Sequence, residues 1–403
     1  MSDHEHQPVA PLREDFLAAD LYGYQELLTD RENDVVRRVR AFLEAEVRPR
    51  ANEFWEAAES PRHLLPRLAE LDVVGLGYDF EDRPAMSKVL TGWLGMEFAR
   101  VDPSTGTMFG VHSGLAMGSI SILGSQEQKA RWLPAMRRME KVGAFALSEP
   151  HGGSDVSGGL ETTARRDGDD WIINGGKRWI GNGTFADVIV VYAKDEADDQ
   201  VKGFLVEKEF EGFSASKIEG KYALRAVQNA DLTFENCRVP AANKLEHANS
   251  FADTAKVLRL TRGGVAWSAV GLMLGAFERA VAYSQERVQF GKPIGSFQLI
   301  SDLIARSAAD ITASLGMAVR VAQLQDAGVF HDEQAAMCKS FTTTRAREVV
   351  ARSREILGGN GILLENDAVR YFADAEALYS YEGTSQMNNL IVGRACTGLS
   401  AFV

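Results

Sequence analysis

Between about residue 32 and residue 140 the apolar positions recur at intervals of three and four. Val35, Val36, Val39, Phe42, Leu43 and Val47 set the pattern, and it returns around Leu90 to Phe98 and Met117 to Leu123. That spacing puts one apolar stripe on each of a series of amphipathic helices. Pro103, Pro134 and glycine-rich breaks separate them. The period then changes. Residues 143–149, 161–166, 170–174, 186–193, 203–208 and 230–236 are short, β-rich runs with turn residues between them, including the hairpin signal Asp167-Gly168. They predict an antiparallel β-domain. After Pro240 the helical period returns, with one long stripe through Leu299, Ile300, Leu303, Ile304, Ile311, Leu315, Ala318 and Ala322. The predicted class is α+β in three parts: a helical domain over 1–140, a β-domain over 141–245 and a helical domain over 246–403.

A chain of 403 residues is long enough for two or three packed domains. Its 44 basic and 56 acidic residues give a net charge of −12, which argues against a nucleic-acid or anionic-membrane surface. A phosphorylated small ligand stays open, because a few backbone N–H groups suffice for one. Cys237, Cys338 and Cys396 are far apart and fit no disulfide or zinc spacing, so each is expected to be a buried small apolar residue. No unbroken run of about 18 apolar residues suggests a membrane span. The opening MSDHEHQPVAP and the closing SAFV match no targeting signal, and the expected location is cytoplasmic.

Several stretches could carry chemistry. FALSEPHGGSD (145–155) ends a strand in a Pro-Gly-Gly turn, whose N–H groups and the Ser148 and Ser154 hydroxyls could donate to a heterocycle edge or a phosphate. NGGKRWIGN (174–182) places Trp179 on a neighbouring strand, either as core or beside a flat ligand. LRLTRGGVAWSAVG (258–271) sets Arg262 among small residues. QERVQFGKPIGSFQ (285–298) carries Arg287 at a helix break, and REILGGNGI (354–362) is a glycine-rich helix end rather than a dinucleotide fingerprint. LYSYEGTS (378–385) sets Glu382 in what would ordinarily be a solvated turn.

In this order, and with YEGTSQMNNLIVGR at the end, these motifs closely resemble the acyl-CoA dehydrogenase family across nearly the whole chain from about residue 25. Its glutaryl-CoA dehydrogenase and short-chain acyl-CoA oxidase branches are the most similar. The resemblance implies an N-terminal α-helical domain, a middle β-domain and a C-terminal four-helix bundle, with FAD between the β-domain and the C-terminal helices. Phe145, Leu147, Ser148, Gly153 and Ser154 would hydrogen-bond the flavin and its pyrophosphate, and Trp179, Ile180 and Gly181 would line the ring. Arg287, Gln289, Phe290, Gln298 and the turn Leu357, Gly358, Gly359 would reach the FAD of a neighbouring subunit in a homotetramer, a dimer of dimers. Thr384 and Phe402 would close over the cofactor. Ser154, Arg262 and Gly383 are the positions matched to the acyl-CoA substrate, and an electron-transfer flavoprotein is the implied acceptor.

By the same resemblance Glu382 is the general base that removes the α-proton while a hydride passes from the β-carbon to flavin N5. A branch that takes its base from the position before Arg262 is excluded, since Thr261 stands there. Two departures matter. Where glutaryl-CoA dehydrogenases carry a carboxylate-pairing Arg and a Glu, this chain has Gly106 and Ala99, which implies an uncharged acyl pocket and a neutral short chain. Gly181 replaces a Thr common in the family, as in the oxidases. Glutaryl-CoA decarboxylation, oxidase activity, and a non-catalytic or DNA-binding member of the fold are the alternatives. Chain length and branching are not fixed by the sequence.

Overall fold

The computed structural model describes residues 14–401, so the opening segment examined for a targeting signal and Phe402 lie outside the described residues. The first helical part forms α1 (Asp30–Phe42), α2 (Ala51–Ala57), α3 (Leu65–Glu70), α4 (Lys88–Val101), α5 (Pro103–Gly110), α6 (Met117–Leu123) and α7 (Gln126–Arg137). Their starts are set locally. Thr29 with Glu32 caps α1, and Ser125 with Gln128 caps α7, each as a reciprocal box that satisfies N–H groups the first turn leaves unpaired. Asp102 caps α5, whose first residue Pro103 needs no N–H partner there. A π-helical stretch, Val111–Ala116, joins α5 to α6.

The period-two runs form β1 (Gly143–Ala146), β2 (Thr163–Asp167), β3 (Asp170–Ile180), β4 (Val188–Asp195) and β5 (Val201–Glu207), with β6 (Phe213–Lys217) and β7 (Ala230–Pro240) completing the sheet. β6 escaped the pattern because its side chains are mostly exposed. The Asp167-Gly168 hairpin is present, with Asp167 opposite Asp170 and Gly168 at φ 63°. The sheet is not purely antiparallel, as had been expected. β1 and β2 both pair with β4 in parallel, while β2–β3, β3–β7, β4–β5 and β6–β7 are antiparallel. Side-chain alternation is the same in either direction, so only the connections could have revealed this.

The third part begins with α8 (Phe251–Glu286). A short hairpin of β8 (Val288–Gln289) and β9 (Lys292–Pro293) follows, then α9 (Gln298–Asp326), α10 (Asp332–Ile356), α11 (Ala368–Ser380) and α12 (Ser385–Thr397). α8 to α11 form the bundle, and α12 packs on α10. Helix α8 is long and apolar enough to cross a membrane by length and composition alone, but most of that stretch is buried within the chain. It lies directly against α4: a Cβ at Gly271 would stand 2.1 Å from the Met96 carbonyl oxygen, and one at Gly275 2.1 Å from that of Arg100. The small-residue face read from 258–271 is therefore a helix-packing face. A buried ion pair between Arg370 and Asp102, 3.0 Å, ties α11 to the start of α5. The α9 stripe is buried only in its second half; Leu299 at its start is 81% exposed. Cys237 and Cys338 are buried as expected, whereas Cys396 is exposed, because α12 leaves it on its outer face.

Candidate active site

Between α4, the α5 to π-helical segment and α8 lies a cavity of about 220 Å³, with Tyr381 and Glu382 in its wall. Glu382 follows α11 in a turn of left-handed backbone, φ 50°, and Gly383 continues it at φ 88°. A non-glycine residue in that region carries strain that the surroundings must hold. Helix α10 holds it here: the Lys339 ammonium donates to the carbonyl oxygens of Tyr379 and Gly383, each at 2.8 Å. The Asn388 amide also donates to the Gly383 carbonyl, at 2.9 Å.

One Glu382 oxygen, Oε2, is buried with no hydrogen-bond partner. Burial raises the carboxyl above the usual carboxylate range, against the opposing pull of the Arg262 and Lys339 cations and of a hydrogen bond with Thr261. Arg262 is therefore an electrostatic neighbour of Glu382, although it does not line the cavity. Thr261 does line it, and its hydroxyl also bonds back to the Val257 carbonyl at 3.2 Å. Thr384 caps α12 by accepting from the Met387 N–H.

On the β-domain, the Arg178 N–H donates to the Ser148 carbonyl at 2.9 Å, which brings 145–148 beside the end of β3. There Trp179 is 53% exposed and in left-handed backbone at φ 68°, after a register shift between Lys177 and Ile180. Leu147 and Ile180 are buried, and Phe145 packs on Tyr192. Glu149 anchors both ends of the following loop: it pairs with buried Lys177 at 2.7 Å and accepts the N–H groups of Glu161 and Thr162. The loop itself leaves Gly153 and Ser154 exposed. Nothing lies within 4 Å of where a Cβ would stand at Gly153 or Gly359, so a ligand could approach that backbone closely. An exposed, strained Trp beside open glycine backbone fits a flat cofactor with a phosphate tail.

Other expected residues stand apart from this cavity. Arg287, Gln289, Phe290 and Gln298 sit on the exposed β8–β9 hairpin and the start of α9, with Phe290 94% exposed. Leu357 is buried and Gly358 and Gly359 are exposed at the end of α10. At Gly181 a Cβ would stand 3.0 Å from Val111 Cγ2.

Positions 99 and 106, read as an uncharged acyl pocket, do not share this cavity. Gly106 does line the cavity, but so does Lys88 from the first turn of α4, while Ala99 is buried away from it. The sequence reading missed Lys88 and also Lys339. The second, a lysine at 339 within an apolar helical run, was a visible signal; the first needed the fold.

Family models match all three parts of the chain: acyl-CoA dehydrogenase N-terminal domain over 29–140, middle domain over 144–237 and C-terminal domain over 251–397. The chain belongs to the acyl-CoA dehydrogenase family. It is a flavin-dependent oxidoreductase of that class, and its cofactor is FAD. It is 33% identical over 368 residues to a short-chain specific acyl-CoA dehydrogenase of Clostridium acetobutylicum, covering 90% of this chain and 97% of that one. A glutaryl-CoA dehydrogenase structure from Mycobacterium smegmatis matches with TM-score 0.92 and 35% identity over 96% of this chain and 99% of that one. A structure of a glutaryl-CoA dehydrogenase from the same organism, in complex with FADH2, matches with TM-score 0.92 and 34% identity over 95% and 98% of the two chains.

Proposed function

We propose that the protein oxidises a short-chain acyl-CoA thioester to its trans-2-enoyl product, with Glu382 as the general base. The observation that carries this is the Glu382 carboxylate itself. It stands in the cavity wall with one oxygen unpaired and its pKa raised by burial. An α-proton is weakly acidic, so the base works best with a pKa brought up toward that of the proton it takes, and held within reach of it. The unpaired oxygen is the acceptor for that proton. The Glu382 N–H, which donates to no group among the described residues, would polarise the thioester carbonyl, as an oxyanion-hole donor does.

FAD, when bound, supplies the acceptor for the electron pair that leaves with the β-hydrogen. Trp179, Ile180 and Gly181, with Phe145, Leu147 and Ser148, would flank its ring. Gly153 and Ser154 would meet the polar part of cofactor and substrate, and Thr384 would close over it beside Gly383. Arg287, Gln289, Phe290, Gln298 and the turn at Leu357 to Gly359 would complete the FAD site of a second copy in a homotetramer. The exposed apolar side chains Phe290 and Leu299 support that reading. Electrons would pass on to an electron-transfer flavoprotein.

The test is an activity screen of the purified yellow protein against a panel of acyl-CoAs, run with a ferrocenium-type dye and again with oxygen alone. Dye reduction with butyryl- or hexanoyl-CoA is the expected result. No reduction with any acyl-CoA would overturn the proposal.

A further inference from the structure

We propose that the end of the cavity at Lys88 receives a carboxylate carried at the far end of the substrate's acyl chain, and that Lys88 is a specificity-determining residue. The inference rests on the dehydrogenation proposed above and concerns the other end of the same cavity.

Lys88 occupies the first turn of α4, and with Gly77 it lines the cavity. The ammonium donates to the Gly77 carbonyl at 3.1 Å, and a Cβ at Gly77 would stand only 3.1 Å from it. The Tyr78 ring lies 5.9 Å away. Among the described residues no carboxylate forms an ion pair with this ammonium. The nearest candidates are engaged elsewhere: the Asp326 carboxylate accepts the Lys88 backbone N–H at 2.8 Å, and Asp79 accepts the Ala85 N–H. Both act on the ammonium only at longer range, and burial pushes its pKa down. A half-buried cation without an anion is unfavourable, and a bound carboxylate would relieve that.

The route from Glu382 to Lys88 is open. Thr91, Gly92 and Gly95 follow Lys88 at helical spacing along the same cavity wall, and the wall continues to Gly106 and Thr107. Thr107, Tyr381 and Glu382 all line this cavity. Gly95, Gly110, Gly114 and Gly264 all line this space, and nothing stands within 4 Å of where their Cβ atoms would be. The cavity exceeds the roughly 150 Å³ of an apolar cavity that admits benzene. The cavity that Glu382 and Lys88 both line thus has room for a short acyl chain. Position 106 carries no charge, so the positive charge in this cavity's lining comes from Lys88.

The test compares matched acyl-CoAs that differ only in a terminal methyl or carboxylate: pentanoyl- with glutaryl-CoA, hexanoyl- with adipyl-CoA. The FAD-bound protein is expected to favour the carboxylate member of at least one pair by about tenfold in kcat/KM, since a site built for a charged group rejects the analogue lacking it. Lys88→Met should abolish that preference by lowering kcat/KM for the carboxylate member more than for the methyl member, while Lys88→Arg should keep it. No preference in wild type, or a Lys88→Met variant that lowers both members equally, would overturn the proposal. Binding of the same pairs to Glu382→Gln, followed by calorimetry, gives the preference without turnover. If no acyl-CoA is oxidised but the carboxylate members still bind more tightly through Lys88, the reading of the reaction fails and the reading of Lys88 stands.

Discussion

The Lys339 ammonium is hydrogen bonded at 2.8 Å to the carbonyl oxygen of Gly383, the residue that follows the left-handed Glu382. A second bond of the same length, to Tyr379, spans the turn. One buried lysine on α10 thus fixes the backbone around Glu382 and lends it a nearby positive charge.

Replacing Lys339 with Met should therefore do two things. The turn loses two charge-assisted hydrogen bonds, so kcat falls. The carboxyl loses a cation that opposes the effect of burial, so its pKa rises further. The base must be ionised to act, and raising its pKa moves the acid limb of the kcat/KM profile to higher pH. A profile measured on variant protein of wild-type flavin content checks this, and an unmoved acid limb would contradict it.

Asp374 on α11 offers a second pH-dependent effect, this time on stability. It accepts from Trp55 Nε1 at 2.9 Å and from the Leu224 N–H at 2.6 Å, while its other oxygen is buried without a partner. Burial raises its pKa from 3.8 to about 7. The folded state then holds a proton that the unfolded state releases, so this group's contribution to stability falls as pH rises from about 4 to about 7. Asp374→Asn keeps the accepting oxygen and removes the charge. The variant should gain stability relative to wild type at pH above 7 and little or none near pH 4, as read by denaturant midpoints.

Arg287→Ala should lower flavin content and subunit association together, because an arginine reaching across an interface to a pyrophosphate supports both. Flavin absorbance and light-scattering mass on one sample decide it. Wild-type values for both would remove Arg287 from any shared site.

Much of this architecture is legible in the residues alone. Helical period, then period two, then helical period gave the order of the parts, since each follows from which side chains must face a core. Strand direction was not legible, because β1 and β2 show the same alternation whether β4 runs with or against them. Glu382 stands out as a candidate only as part of an ordered set of motifs; as a glutamate beside a glycine it is an ordinary turn. Lys88 could not be read from the sequence. It stands 294 positions before Glu382 along the chain, and only the packing of α4 and α11 on α8 brings both to one cavity.

The central claim is that Glu382 takes the α-proton, and Glu382→Gln tests it most directly. The glutamine keeps the shape of the turn and the hydrogen-bonding amide but cannot accept a proton at the working pH. Mixed with butyryl-CoA in a single turnover, the FAD-bound variant should still bind the thioester and bleach its flavin at least about 10²-fold more slowly than wild type, the lower end of what a general base contributes. A variant that binds the substrate and bleaches at more than half the wild-type rate would contradict the assignment.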